Sequence, residues 1–193
     1  MNSRLILFIS SALLFVSMNI FAVEGISGRT WDVGFHIGPI FEGAVNVDPP
    51  DEEFDTDGGF LWGIDLDGYT GERLSMGLRI LGTSVDLSEY SDVTLQITSI
   101  NGTIKGHIPL GVKSEFRPGF IVGYNSITPD GTDLDDSAGL NLGLAAGYAY
   151  KINPRSCITA EFSFLSQVTG GGDDYDLTFA PIPFLQLGYE FGN

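Results

Sequence analysis

The chain has 193 residues, with 9 Lys and Arg against 25 Asp and Glu, and a net charge of −16. That balance excludes a basic nucleic-acid-binding face, so no nucleic-acid partner is expected. Cys157 is the only cysteine, which excludes an internal disulfide staple.

Residues 1–22 read as a secretory signal peptide: Arg4 is followed by an apolar run from Leu5 to Phe21, and Ala22 precedes the cleavage site. A permanent membrane helix is the weaker reading, since the run is short and no stop-transfer pattern follows. No cysteine lies near Ala22, so the signal is not of the lipoprotein kind. Cleavage leaves 193 − 22 = 171 residues: a short lead at 23–29 and one domain at 30–193. Nothing beyond residue 22 approaches the roughly 20 apolar residues of a membrane helix.

From there the chain alternates between apolar and other residues, the mark of strands with two different faces. The first strand runs from Thr30 to Phe41, with Trp31, Val33, Phe35 and Ile37 on one face. The second is Phe60 to Asp67 and the third Arg73 to Thr83. The fourth, Val93 to His107, changes phase near Thr98 and Ser99, which suggests a β-bulge. The fifth is Phe116 to Ser126. In the sixth, Leu140, Leu142, Leu144, Ala146, Tyr148 and Tyr150 alternate with Asn141, Gly143, Ala145, Gly147 and Ala149. The seventh is Ser156 to Leu165. The eighth runs from Phe179 to Phe191, its first half weakened by Pro181 and Pro183, which cannot donate to a ladder.

The connections alternate in length. Residues 68–72, 109–114 and 153–155 are short; 43–58, 84–92, 127–137 and 166–176 are longer and polar. Short turns on one side and long loops on the other describe a membrane barrel with periplasmic turns and extracellular loops. A soluble barrel would show its less apolar face to water, yet Asn141, Gly143, Ala145, Gly147 and Ala149 carry no charge. Small residues suit the cramped interior of eight strands. Closure also pairs every backbone N–H and C=O, as hydrocarbon demands. The expected fold is therefore all-β, an eight-stranded antiparallel up-and-down transmembrane barrel of the outer membrane.

Residues 104–124, Ile-Lys-Gly-His-Ile-Pro-Leu-Gly-Val-Lys-Ser-Glu-Phe-Arg-Pro-Gly-Phe-Ile-Val-Gly-Tyr, resemble the strand–turn–strand of small outer-membrane barrels of the OmpA, OmpX and OmpW type. Gly139 to Tyr148, Asn153-Pro154 and Ile158 to Phe162 share the resemblance. It covers most of the mature chain and is specific to the architecture, not to an activity. It implies a structural barrel, as in the OmpX-like group, or a narrow OmpW-like channel admitting small apolar molecules through its wall. It also implies the barrel assembly machinery, periplasmic chaperones and outer-membrane lipid as partners. These families commonly end in an aromatic residue; here Gly192 and Asn193 follow Phe191.

An inward-facing polar set is expected from Asp32, His36, Asp65, Asp67, Arg79, Lys105, Arg117, Lys151, Glu161 and Glu190. Buried charges must be paired. Arg79 and Glu161 lie at similar depth and should pair across the lumen; Lys105, Arg117, Lys151, Asp67 and Glu190 should form a second cluster nearer the periplasm. Lipid-facing aromatic girdles are expected from Trp31, Phe60, Trp62, Phe116, Tyr124, Tyr148, Tyr150, Phe164, Tyr189 and Phe191.

The long loops are acidic: Asp48, Asp51, Glu52, Glu53, Asp55 and Asp57 in the first, Asp130, Asp133, Asp135 and Asp136 in the third, and Asp173, Asp174 and Asp176 in the fourth. Arg73, Lys113 and Arg155 sit in the short turns. Such carboxylates have the oxygen chemistry for weak Ca²⁺ or Mg²⁺ binding, but residues 130–136 do not match the EF-hand spacing, and solvated loops are the plainer reading. His36 and His107 are the only histidines. Neither has a serine in His-x-Ser spacing, so no catalytic site, cofactor or metal is expected. The favoured function is a structural barrel, expected as a monomer, serving envelope integrity or surface interaction. The alternatives are the apolar-solute channel and, more weakly, an adhesin or receptor acting through its loops.

Overall fold

The computed structural model describes residues 24–25, 28–48, 52–131, 136–171 and 176–193. Residues 1–22 and Asp51, Asp133, Asp135, Asp173 and Asp174 lie outside them.

The described chain is strand throughout: β1 (Trp31–Ile40), β2 (Gly43–Asp48), β3 (Glu52–Thr56), β4 (Gly59–Gly71), β5 (Leu74–Leu87), β6 (Tyr90–Gly106), β7 (Ile108–Pro109), β8 (Ser114–Asp130), β9 (Ser137–Asn153), β10 (Ser156–Gln167), β11 (Asp176–Phe179) and β12 (Ile182–Gly192). Eight of these close a barrel in the order β1, β4, β5, β6, β8, β9, β10, β12 and back to β1, each pair antiparallel. β1 makes the closing contact, with Val33 opposite Leu66 on one side and Phe191 on the other. Thr30 donates from its N and Oγ1 to Asn193 Oδ1, tying the two ends together.

Alternation sets the faces. Asp32, His36 and Ile40 of β1 are buried in the lumen, while Phe35 and Ile37 between them are exposed on the outside. Asn141 and Ala149 of β9 are fully buried inside, and Leu140, Leu142 and Leu144 lie outside. All ten aromatics of the expected girdles sit on the outward faces. Trp31, Phe116, Tyr148, Tyr150, Tyr189 and Phe191 cluster towards the short-turn end, where Trp31 packs edge-on against Phe191 at 6.2 Å. Phe60, Trp62, Tyr124 and Phe164 lie further towards the loops.

Several sequence expectations need correction. β6, β8 and β9 each have 17 residues, well beyond the roughly 9–11 of a tilted membrane strand, so the barrel continues past the membrane. Residues 84–92 are therefore nearly all strand, and 43–58 contain the β2–β3 hairpin. Residues 179–191 do not form one strand: β11 pairs with β2, and β12 begins only after Pro181.

No bulge interrupts β6 at Thr98 and Ser99. Its register with β5 runs unbroken from Gly106 to Thr94, and the irregularity lies between Asp86 and Leu87. The change of phase has a different cause. Leu95 and Ile97 point inwards, into an apolar core filling the loop half of the barrel. Leu61, Leu81, Val85, Ile121, Ile127, Leu165, Ile182 and Phe184 join them. Val45 and Val47 of β2, with Leu177 and Phe179 of β11, lie over them as a roof.

Pro39 of β1 and Pro183 of β12 thin the ladder at the closing seam, where Gly38 and Pro39 have no β12 partner in register. The strands still come very close: a Cβ on Gly38 would meet the Leu185 carbonyl oxygen at 1.7 Å. Gly38→Ala should therefore cost about 1–3 kcal/mol by overpacking and lower the yield of heat-modifiable folded barrel on gels. Gly71→Ala, whose Cβ would meet nothing within 4 Å, serves as the silent control.

Candidate functional site

The lumen holds the chemistry, and it is layered. Nearest the short turns, Arg29 enters from the lead and pairs with Asp32 at 2.6 Å. Its Nη2 also reaches Cys157 Sγ at 3.6 Å, and the Tyr69 hydroxyl donates to Asp32 at 3.0 Å. Beside them Arg117 holds Glu115 and Glu190, its Nε donating to Glu115 Oε1 at 2.8 Å.

Above lies a second ionic layer. Arg79 faces Asp65 with both Nε and Nη2 at 2.8 Å, and donates through Nη1 and Nη2 to the two oxygens of Glu161. Its guanidinium is fully buried. This planar fork meeting two carboxylates is the geometry in which arginine binds best. Lys105 Nζ lies 2.6 Å from both Asp65 and Asp67, and Thr103 Oγ1 donates to Asp67 at 3.2 Å.

The expected division into two clusters thus changes. Lys105 and Asp67 belong with Arg79, not with Arg117 and Glu190, because the lysine stem carries its charge to Asp65 and Asp67. Lys151 is half-buried at the end of β9. His36 is 3% exposed, with Nε2 3.4 Å from Asp65 Oδ2.

Sequence reasoning missed Glu115 and Arg29. Glu115 shares the inward face with Arg117 two residues on, so extending the alternation by one pair would have found it. Arg29 precedes the first strand, and no periodicity marks it.

Above the ions sit neutral polar groups, including Asn101, Asn125, Asn141, Gln167 and Gln186, all buried. Asn125 Nδ2 donates to Gln167 Oε1 at 2.9 Å. The apolar core follows. It leaves a small pocket of about 30 Å³ lined by residues such as Ile40, Leu61, Leu81, Ile182 and Phe184. That is far smaller than the roughly 150 Å³ apolar cavity that holds benzene.

One set has the residue types of a hydrolytic triad. Ser75 Oγ lies 2.8 Å from His107 Nε2, and His107 Nδ1 lies 3.5 Å from Glu115 Oε1. All three are at most 2% exposed. Nδ1 makes no hydrogen bond, the Glu115 oxygen is held by Arg117, and Tyr69 packs at a 39° tilt against the imidazole, 4.8 Å between ring centres. The set ties β5 and β8 to the link between β6 and β7. Among the described residues, no three His, Cys, Asp or Glu side chains are arranged to hold a metal ion.

A closed eight-stranded barrel with an apolar outer wall and an ion-paired lumen defines an outer-membrane β-barrel protein. The chain belongs to the outer membrane protein beta-barrel domain family, whose model matches residues 8–191. Its place is the outer membrane of a Gram-negative-type envelope. No curated protein matches it. Among solved structures it is similar to Neisserial surface protein A, at 13% identity and a TM-score of 0.60, covering 84% of this chain and 96% of that one. It is also similar to OprG from Pseudomonas aeruginosa, at 13% identity and a TM-score of 0.59, covering 89% and 100%. The barrel domain of OprF from the same organism matches at 13% identity and 0.50, covering 86% and 98%. At these identities the likeness is one of fold.

Proposed function

We propose that this chain is a structural barrel: a non-catalytic, non-conducting monomer that contributes to envelope integrity and presents an acidic rim outwards. The observation that carries the reading is a lumen filled over its height, with ion pairs below, amides at mid-level and an apolar core above. In this reading residues 1–22 are the export signal, and periplasmic chaperones and the barrel assembly machinery deliver the chain. The ten outward aromatics form the two lipid-facing girdles, and the inward charges brace the wall from within. A strain lacking the protein should take up more of a hydrophobic dye such as N-phenylnaphthylamine, and wild-type protein should restore the barrier. Restoration should survive Ser75→Ala, which removes the one hydroxyl placed on His107. An unchanged barrier in the deletion strain would remove the integrity role.

A second reading has one specific observation behind it. The apolar pocket lies beside the proline-thinned seam, with Ile40 on β1 and Ile182 and Phe184 on β12. Widened, it would give small apolar molecules a route through the wall, as in an OmpW-like channel. Faster uptake of a small apolar solute by cells carrying the protein would favour it over the structural reading.

A further inference from the structure

One turn at the periplasmic end differs in chemistry from the others there. The β4–β5 and β9–β10 turns present Glu72-Arg73 and Pro154-Arg155. The turn before β8 instead presents Leu110 and Val112, 61% and 95% exposed, just beyond Ile108 at 47%.

Its geometry is defined. Ile108 pairs with Phe116, and Pro109 pairs with Glu115. Glu115 is buried in the lumen and Phe116 is on the outer wall, so Ile108 continues the outward apolar band. Leu110 N donates to Ser114 O at 2.9 Å, and Lys151 N to Lys113 O at 2.7 Å, which hold the turn as a closed hairpin against β9. Tyr148 and Tyr150 stand exposed on that neighbouring strand.

Charge points the same way. Arg73, Lys113 and Arg155 are exposed at this end, whereas the loop end carries no Lys or Arg. Basic side chains beside apolar ones suit a surface of anionic headgroups over acyl chains.

We infer that the Leu110–Lys113 turn is a lipid anchor: Leu110 and Val112 seat in the headgroup–acyl boundary of the periplasmic leaflet, and Lys113 meets an anionic phospholipid headgroup. The inference rests on the outer-membrane placement of the barrel and adds to it a contact beyond the strands. It would fix the depth of the barrel on its β7–β8 side.

Two single-cysteine reporters test it, Val112→Cys and Glu72→Cys, each with Cys157→Ser and an NBD label. They are inserted into phosphatidylcholine vesicles with and without phosphatidylglycerol. Heat-modifiable gel mobility confirms the folded barrel, and Leu110→Cys is a second reporter on the same turn. At position 112 the expected result is a blue-shifted emission, several-fold weaker quenching by aqueous iodide than at 72, and strong quenching by nitroxide-labelled lipid. The blue shift should grow with phosphatidylglycerol. Iodide quenching at 112 equal to that at 72, in a barrel whose gel shift is intact, overturns the anchor. Protection that vanishes as the protein is diluted in lipid assigns the turn to a second copy and also overturns it. Indifference to phosphatidylglycerol overturns the headgroup contact.

Discussion

Arg79→Ala will destabilise the barrel by about 3–5 kcal/mol, the usual cost of removing one partner of a buried ion pair. Arg79 is fully buried and holds both Asp65 and Glu161. Its loss leaves two carboxylates facing each other across the lumen, offset only by Lys105, which Asp65 shares with Asp67, and by His36 beside Asp65. Urea unfolding of the protein in lipid vesicles, followed by tryptophan fluorescence, measures the change. Arg79→Met combined with Asp65→Asn and Glu161→Gln should recover much of the loss, because the cost lies in the uncompensated charges and not in the missing attraction. A loss below about 1 kcal/mol for Arg79→Ala would mean that water reaches these groups freely.

Phe184→Ala should cost a comparable amount, about 3–5 kcal/mol, for the lost burial plus the cavity left behind. Phe184 is 2% exposed and packs with the apolar residues that fill the loop half of the lumen. The experiment separates the two functional readings. In a filled core the side chain is hemmed in and its removal is felt in full; in an open apolar chamber the ring already faces empty space and its loss costs little. The same unfolding assay reads the difference, and faster uptake of an apolar solute by the variant would support the channel.

The outer wall was legible in the sequence because one rule governs it everywhere: in hydrocarbon, every second side chain must be apolar. Leu140 to Tyr150 follows that rule without exception. The lumen obeys no single rule. In its lower half the inward residues are charged or small, so inside and outside differ and strand phase is plain. In the upper half the inward residues Leu95 and Ile97 are as apolar as the wall. There the contrast inverts, and a change of lumen chemistry reads as a bulge. The same blurring hides how far the strands run beyond the membrane, since outside the bilayer both faces are free to be polar. The pairing of Arg79 with Glu161 could be anticipated from depth alone. The reach of Lys105 to Asp65 could not, because a flexible four-carbon stem spans more than one level of the barrel. Arg29 was invisible for a simpler reason: it enters the lumen from the lead, where no strand period applies.

These features converge on a barrel that is plugged along its length. Planar-bilayer recording of the refolded wild-type protein tests that most directly. A lumen filled by ion pairs and an apolar core should give no conductance steps at physiological salt. Stable, ohmic single-channel conductance in the wild-type protein would contradict it.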